Sequence, residues 1–207
     1  MLPTNTAIPP TPTALPTLSE AQIKDMVLIA PVYQREVMLT DGSFTAEGEL
    51  WVNLLPYIAF GDLNGDGLED SAVLLAENGG GTGTIVSLLA LLNDHGQPRQ
   101  AGALLVDDRP LITSLEIIDG KISLNAVIHT VSDPGCCPTL EVGQTYMLEG
   151  DRLVLIRQTS LASTGAVRAI YIKNPPSGFQ SPTPVRIQGS MPIAPFENNL
   201  VYRVYDL

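Results

Sequence analysis

The chain has 207 residues and carries 22 acidic against 11 basic side chains, which gives a formal net charge of -11. This sign excludes proteins that neutralise nucleic-acid phosphates, and it disfavours binding to anionic membrane surfaces. The length allows one domain of ordinary size and a smaller module, and no apolar run is long enough to predict a transmembrane helix.

Residues 1–18 form a tract rich in proline and threonine, "MLPTNTAIPPTPTALPTL", which predicts an extended linker. The tract lacks the basic and apolar regions of a signal peptide. Such tracts often separate a membrane anchor from a folded domain. We therefore expect an extracytoplasmic protein, secreted or held at the cell envelope, with an export signal and a lipid anchor upstream of residue 1.

The next segment, "LSEAQIKDMVL", has the features of a helix start. Ser19 is a suitable N-cap, and Ile23, Met26 and Val27 follow at helical spacing. We expect this helix to end by Pro31.

Short apolar runs separated by turn residues predict strands for most of the remaining chain. In chain order, the first is "REVMLTDGSFTAE", two strands around a Thr-Asp-Gly turn, and the next is "ELWVNLLPYIAF", which is interrupted at Pro56. Two apolar strands follow, "SAVLLAE" and "TIVSLLALLN", joined by "NGGGTG". Two hairpins come last, one in "LITSLEIIDGKISLNAVIH" and one in "TYMLEGDRLVLIRQT". This pattern predicts a mainly β fold of the α+β class, with one short N-terminal helix and an antiparallel sheet that is curved or barrel-like. We assign this domain to residues 19–163.

Residues 164–207 differ in being dense in proline, serine and short β runs. The distinctive positions are Ile170, Ile172, Pro175, Ser181, Pro182, Val185, Ile187, Gly189, Phe196, Glu197 and Leu200. They resemble the opening of the immunoglobulin-like domain of bacterial spore-germination proteins and of many surface proteins. The resemblance implies a partial β-sandwich, because only about three of the roughly seven strands of such a domain fit here.

The segment "GDLNGDGLED" places oxygen-bearing side chains at alternate positions. Asp62, Asn64 and Asp66 occupy positions 1, 3 and 5 of a calcium loop, the Leu68 carbonyl occupies position 7, and Asp70 occupies position 9. Calcium takes six to eight oxygen ligands, and alternate residues of a tight turn direct their oxygens inward. We predict one Ca²⁺ bound by these five residues.

Position 12 of the loop is Val73, where an EF-hand has a bidentate glutamate, so the loop is not an EF-hand. It resembles the calcium loops between strands of integrin-type β-propeller blades. The alternative is a metal-free surface turn, because Gly, Asp and Asn favour turns on their own account.

A second resemblance covers about residues 20–160. Its residues are those of "AFGDLNGDG" at 59–67, Gly79 to Gly83, Asp108-Arg109 and "CCPT" at 136–139. They are similar to those of an uncharacterised family of exported bacterial proteins, many of them lipoproteins. The resemblance implies an extracytoplasmic location and calcium binding, and it provides no activity or substrate that could be carried over to this chain.

Other polar motifs are weaker. The run "ENGGGTGT" lacks the lysine of a phosphate-binding loop and is interpreted as a flexible connection. Arg109 follows Asp107 and Asp108, and we expect it to pair with a carboxylate rather than with a ligand. His95 lies in a turn and should be solvated.

Cys136 and Cys137 are adjacent and are the chain's only cysteines. In an oxidising compartment they can form a vicinal disulfide, remain two thiols, or bridge two chains, and the sequence does not choose among these states. A nucleophilic dyad with His129 is disfavoured because no third residue orients the pair.

Together these features predict a calcium-stabilised binding or structural module of a bacterial cell-envelope protein, whose partner is an unidentified surface ligand or protein. The alternative is an envelope enzyme or enzyme inhibitor, with a site near the glycine-rich turn and the cysteine pair.

Overall fold

The structure is a computed structural model that describes residues 15–46, 50–161, 165–174 and 184–191. Its elements in chain order are α1 (Glu20–Lys24), β1 (Val27–Ala30), β2 (Arg35–Met38), β3 (Ser43–Thr45), β4 (Leu50–Gly61), β5 (Asp70–Gly79), β6 (Ile85–Asp94), β7 (Gln97–Asp108), β8 (Leu111–Ile118), β9 (Lys121–Ile128), β10 (Leu140–Glu149), β11 (Arg152–Leu161), β12 (Val167–Asn174) and β13 (Gln188–Ser190). The linker predicted for residues 1–18 lies outside the described residues as far as residue 14. The C-terminal positions 175–183 and 192–207, which carry much of the immunoglobulin-like resemblance, also lie outside them.

The strands form three antiparallel sheets. The five-stranded sheet has the order β3-β4-β5-β6-β7, and the six-stranded sheet has the order β13-β12-β11-β10-β9-β8. Among the described residues, β1 pairs with β2 alone. The predicted mainly β fold with one short helix is confirmed, and the sheets do not close into a barrel.

Strands β5 and β6 are buried on both faces, so the five-stranded sheet is the middle layer of three. Leu74 and Leu88 face the six-stranded sheet, where they pack with Ile122 and other residues of β8 to β11. Their sequence neighbours Leu75 and Leu89 face the opposite side, because alternate side chains of a strand point to opposite faces. There they pack against the helix and the β1–β2 hairpin. This double burial explains why "SAVLLAE" and "TIVSLLALLN" are almost continuously apolar.

Both predicted hairpins in the second half of the chain are confirmed. Asp119 and Gly120 join β8 to β9 with positive φ angles of 49° and 70°. Gly150, with a φ of 61°, lies in the turn from β10 to β11. These backbone conformations are those that glycine and, less readily, aspartate adopt at tight turns.

The helix prediction is correct at its start and wrong at its end. Ser19 caps α1 in a capping box with Gln22, but the helix stops at Lys24. The segment predicted to continue it, "VLIA", is strand β1, whose alternating burial puts Leu28 and Ala30 into the core. Pairing with β2 and burial of one face outweigh the helical spacing of Met26 and Val27, since β-branched and bulky residues suit a half-buried strand.

The strands on either side of the Thr-Asp-Gly turn exist, but they do not form a hairpin with each other. β2 pairs with β1 and β3 pairs with β4, and only one bridge joins Thr40 to Ser43 across the turn. Strand β4 continues through Pro56 with a register shift between Leu54 and Ile58, where the proline cannot donate to the ladder.

The described part of the C-terminal segment extends the six-stranded sheet. β12 pairs with β11 from Leu161↔Val167 to Gln158↔Ile170, and the short β13 pairs with β12. The boundary predicted near residue 164 lies between β11 and β12, which pair with each other. A separate immunoglobulin-like module stays a prediction.

The two large sheets approach each other closely where β7 crosses β11. A Cβ atom at Gly102 would lie 2.9 Å from the backbone nitrogen of Leu153. A Cβ at Gly81, in the turn between β5 and β6, would meet no atom within 4 Å.

We expect Gly102→Ala to lower the free energy of unfolding by about 1–3 kcal/mol, because the backbone of β11 must shift. Gly81→Ala should stay within about 0.5 kcal/mol of the wild type. Urea unfolding followed by circular dichroism measures both. Equal stability of the two variants would contradict this close approach of the sheets.

Candidate functional site

The loop of residues 61–70, called here the Asp-rich loop, joins β4 to β5 at the point where Gly61 pairs with Asp70. The Asp62 carboxylate accepts hydrogen bonds from the backbone N–H groups of Gly65 at 2.7 Å and Gly67 at 2.9 Å. Both glycines have φ angles near 80°, which side-chain-bearing residues rarely adopt. The two glycines therefore allow the chain to curl around the Asp62 carboxylate.

The side chains of Asn64 and Asp66 likewise accept hydrogen bonds from backbone N–H groups that follow them in the loop. The Asn64 side-chain oxygen accepts from the Asp66 N–H at 2.9 Å, and the Asp66 carboxylate accepts from the Leu68 N–H at 2.7 Å. The Asn64 amide also donates to the second carboxylate oxygen of Asp66 at 2.9 Å. Side chains at alternate positions thus bond to the loop's own backbone, as short polar side chains do in turns.

Asp70 differs from the other predicted ligands because it is completely buried. One carboxylate oxygen accepts from the Leu63 N–H at 2.8 Å, and the other accepts from the Asn93 N–H at 2.8 Å. Asp70 therefore connects the start of the loop to the end of β6.

Asn93 is a residue of this site that the sequence analysis missed. Its side-chain amide donates to the Pro16 carbonyl at 2.9 Å and to the Glu69 carbonyl at 3.2 Å, and its oxygen accepts from the Gly96 N–H at 2.7 Å. One buried amide thus links the loop, the β6–β7 turn and the segment that precedes α1. No spacing pattern indicates such a role for an asparagine at a strand end.

The carboxylates of the Asp-rich loop influence one another electrostatically. Burial raises the pKa of Asp70. The hydrogen bonds from Asn93 and Leu63 lower this pKa, and the negative charges of Asp66 and Asp62 raise it; the net effect is a raised pKa. Burial would also raise the pKa of Asp62, but the surrounding backbone N–H groups, led by Gly67 and Gly65, hold it below its usual value. The loop therefore places a fixed negative charge at Asp62 beside a buried carboxyl that is costly to ionise.

The loop residues fit calcium in the chemistry of their donors. Carboxylate, amide and carbonyl oxygens are the ligands that Ca²⁺ takes, and a carboxylate oxygen that accepts one N–H keeps a lone pair. Among the described residues, however, no group of three or more His, Cys, Asp or Glu side chains converges closely enough to hold a metal ion. The ligand set Asp62, Asn64, Asp66, Leu68 and Asp70 stays a prediction.

A second polar cluster lies where the glycine-rich turn (residues 79–84) meets the end of β7. The Asp108 carboxylate accepts from the Thr84 N–H at 2.8 Å and from the Arg109 guanidinium at 3.0 and 2.7 Å. The same guanidinium donates to the Gly135 carbonyl, next to the cysteine pair. The expected structural pairing of Arg109 with a carboxylate is confirmed, and it joins the turn to the loop that carries the cysteines.

His129 anchors the beginning of that loop, called here the cysteine loop (residues 129–139). The Asp107 carboxylate accepts the His129 backbone N–H at 2.5 Å and contacts the ring Nδ1 at 2.9 Å. Asp133 closes the loop internally by accepting from the backbone N–H groups of Thr130 and Thr139, each at 2.9 Å. His95, by contrast, is 95% exposed in its turn, as predicted.

Cys136 and Cys137 are joined to each other in a vicinal disulfide at the exposed end of the cysteine loop. The sequence left open a vicinal disulfide, two thiols or a bridge between chains, and the structure has the vicinal disulfide. The chain has no free cysteine in this state, so it offers no thiolate for a dyad with His129. The ring Nε2 of His129 is buried and has no hydrogen-bond partner.

Electrostatic effects at this cluster make its stability depend on pH. The hydrogen bond to Asp107 raises the pKa of His129, and burial lowers it. The negative charges of Asp107, Asp108 and Asp133 also raise this pKa, and the net effect is a raised pKa. The stability that this pairing contributes is fully present below the unfolded pKa of about 6.5, and it is lost as pH rises through the higher folded pKa.

We therefore expect His129→Gln to flatten the pH dependence of unfolding. As pH rises above about 6.5, the wild type should lose free energy of unfolding relative to this variant, since only the wild type has the imidazole that releases a proton from the pairing with Asp107. Urea unfolding at a series of pH values measures the difference. His95→Gln is the matched control and should follow the wild type; parallel curves for all three proteins would contradict the expected ion pair.

No family model, no curated protein and no solved structure matches this chain. Within the part of the chain that the structure describes, no helix has the length and apolar character needed to cross a membrane.

Proposed function

We propose that this chain is an extracytoplasmic module of a bacterial cell-envelope protein, stabilised by one calcium ion, with a binding or structural role at the cell surface. The observation that carries the proposal is the Asp-rich loop. Its oxygens at positions 1, 3, 5, 7 and 9 follow calcium-loop spacing, and positive-φ glycines form the turn.

The ion would be held by the side chains of Asp62, Asn64, Asp66 and Asp70 and by the Leu68 carbonyl. When bound, it would supply two positive charges where Asp62 and Asp66 disfavour ionisation of Asp70. Because Gly61 pairs with Asp70 at the base of the loop, fixing the loop also favours the register of β4 and β5. Both strands contribute to the two cores, so a local ion would stabilise the whole domain.

Calcium should raise the melting temperature of the full chain. If free calcium is about tenfold above a Kd of ~10⁻⁴ M, linkage gives roughly 1.4 kcal/mol of stabilisation. For a chain of this size that corresponds to a rise of about 2–4 °C. Magnesium should have a smaller effect because it demands an octahedral shell and dehydrates reluctantly. Differential scanning calorimetry with calcium, magnesium or chelator measures these shifts.

The matched pair for this experiment is Asp66→Ala and Glu69→Ala. Asp66→Ala should abolish the calcium-dependent shift, although it also removes the hydrogen bond from Leu68 and lowers the melting temperature without calcium. Glu69→Ala removes an exposed acid that is outside the predicted ligand set and should retain the shift. Calcium binding would be refuted if neither calcium nor chelator changed the melting temperature and elemental analysis showed that the purified protein contains no metal.

The cysteine pair supports an extracytoplasmic location. Disulfides persist in oxidising compartments and are rare in the cytosol, where thiols are kept reduced. Cys136 and Cys137 are bonded in an exposed loop, where cytosolic reductants would reach them. Residues 1–18 are rich in proline and threonine, which is the composition expected of a spacer between a membrane anchor and a folded domain.

Protein purified from its native envelope should resist alkylation at both cysteines until a reductant is added. Its monomer mass should be lower by about two protons than that of the reduced chain, because oxidation of two thiols to a disulfide removes two hydrogens. Mass spectrometry with and without reductant measures both. A reducible dimer, or immediate labelling of both thiols, would contradict the intramolecular disulfide.

A second candidate function, an envelope enzyme or enzyme inhibitor, has one observation in its favour. The fold brings Arg109, His129 and the disulfide to one end of the molecule, and a buried ring nitrogen of His129 has no partner. Arg109 and the other ring nitrogen of His129 are instead engaged with Asp108, Asp107 and the loop backbone. Four clefts in the part of the chain that the structure describes are lined by other residues. These contacts favour a structural clamp for the cysteine loop over a reactive centre.

A further inference from the structure

The cysteine loop presents its disulfide to solvent. Cys136 and Cys137 are both exposed, and so are Pro134 and Gly135 before them. Thiol–disulfide exchange begins when a thiolate attacks one sulfur of the bond, so access to the sulfurs is its first requirement. The cysteine pair is therefore open to an attacking thiol while the rest of the domain stays folded.

The same disulfide contributes little to holding the fold together. It joins neighbouring residues, and the entropic contribution of a disulfide to stability grows with the number of residues that it encloses. The strands on either side of the cysteine loop, β9 and β10, are held by their own pairing, which starts at Leu140↔Ile128. We therefore expect the domain to stay folded when the bond is broken.

The bond does restrict the tip of the loop. Successive side chains of an extended chain point to opposite sides, so two neighbouring cysteines can bond only where the backbone turns. Here the Cys137 N–H donates to the Pro134 carbonyl at 2.9 Å and closes a turn over residues 134–137. Within this turn, the Gly135 carbonyl accepts from the Arg109 guanidinium. Reduction frees the two cysteine side chains, so the turn and the contact with Arg109 lose one of their constraints.

Arg109 connects this tip to the glycine-rich turn. Its guanidinium donates to both carboxylate oxygens of Asp108, at 3.0 and 2.7 Å, and Asp108 in turn accepts from the Thr84 N–H at 2.8 Å. The Arg109 backbone has a φ angle of 49°, which is uncommon for a residue with a side chain, and its N–H donates to the Thr84 carbonyl at 2.7 Å. One guanidinium thus lies between Gly135 and the carboxylate that holds Thr84.

The adjacency of the two cysteines selects the kind of thiol that can reduce them. A monothiol that attacks either sulfur forms a mixed disulfide and leaves the other cysteine as a thiol on the neighbouring residue. That thiol is at high effective concentration, so it re-forms the bond and expels the monothiol. A dithiol resolves the mixed disulfide with its own second thiol, which is also tethered and therefore competes.

We propose that Cys136 and Cys137 are a thiol–disulfide exchange site that accepts two electrons from a dithiol, and that the contact of Arg109 with Gly135 favours the oxidised loop. One thiolate of the dithiol attacks a cysteine sulfur, and the other cysteine leaves as a thiolate and takes up a proton. The second thiol of the dithiol loses its proton, attacks the mixed disulfide and releases the first cysteine, which is protonated in turn. The dithiol becomes a disulfide, and two electrons and two protons reach the cysteines. The proposal does not depend on calcium binding.

The first test is reduction of the folded full chain. The protein is equilibrated with mixtures of reduced and oxidised dithiothreitol, quenched by alkylation and analysed by mass spectrometry, while circular dichroism follows the fold. Both cysteines should become alkylated together, and the circular dichroism spectrum should stay that of the folded protein.

Oxidised glutathione tests the expulsion of monothiols. Added to the reduced wild type, it should regenerate the disulfide and leave no lasting glutathione adduct, because the neighbouring cysteine displaces the glutathione. Cys137→Ser is the matched control. It retains an exposed thiol at Cys136 but lacks the displacing neighbour, so it should keep one glutathione.

Arg109→Gln tests the contact with Gly135. The ratio of reduced to oxidised dithiothreitol at half-reduction should fall about three- to tenfold, because one hydrogen bond that favours the oxidised loop is lost. Arg99→Gln is the matched control and should keep the wild-type ratio. Arg99 lies near the opposite end of β7, where it pairs with Asp151 at 3.4 Å.

Nuclear magnetic resonance follows the loop itself. Reduction of the wild type should shift the backbone amide signals of Gly135 and of Thr84, whose N–H donates to the carboxylate that pairs with Arg109. The double variant Cys136→Ser, Cys137→Ser should show both shifts without any reductant.

Four results would overturn the proposal. A disulfide that resists dithiothreitol until the domain unfolds would be a structural bond and not an exchange site. A lasting glutathione adduct on the reduced wild type would remove the selection for a dithiol. Equal half-reduction ratios for Arg109→Gln and the wild type, or a Thr84 signal that reduction leaves in place, would show that the Arg109 contact is the same in both states.

Discussion

The double-sided burial of β5 and β6 is the constraint on which the rest of the structure depends. A strand that is apolar on both faces must be covered on both, and the chain supplies a different cover for each. The six-stranded sheet packs on the Leu74 and Leu88 side, and the helix with the β1–β2 hairpin packs on the Leu75 and Leu89 side. The Asp-rich loop directly precedes β5, and the glycine-rich turn joins the end of β5 to β6. Both candidate sites are therefore positioned by this central pair.

Much of the fold could be predicted because its signals are local. The Asp-Gly and Gly-Asp turns and the alternation of β9 and β10 are sufficient to predict the two later hairpins. The run "VLIA" could not be assigned in the same way, since four apolar residues after a helix fit either a continued helix or a strand. Its conformation depends on a partner, β2, and on a core surface on β5 and β6 that only the tertiary structure provides.

The candidate site shows the same division. Alternate oxygens and turn glycines are visible in the sequence, so the residues of the Asp-rich loop could be singled out without a structure. Asn93 could not, because it is brought to the loop from 23 residues after Asp70 by the pairing of β5 with β6. The same holds for Gln100, whose contact with Ile29 spans 71 positions. Polar side chains that act across strands carry no spacing signal, since their partners are set by register.

The contact of Asn93 with Pro16 has a mechanical consequence. The Asn93 side chain holds the Pro16 carbonyl, and the Asn93 backbone N–H holds the Asp70 carboxylate. A force applied to the chain ahead of Pro16 would therefore reach the base of the Asp-rich loop through one residue. The load would then enter β5 and β6, the most deeply buried strands, before it reached the edges of the sheets. The segment that begins at Pro16 is thus held at one end of two deeply buried strands.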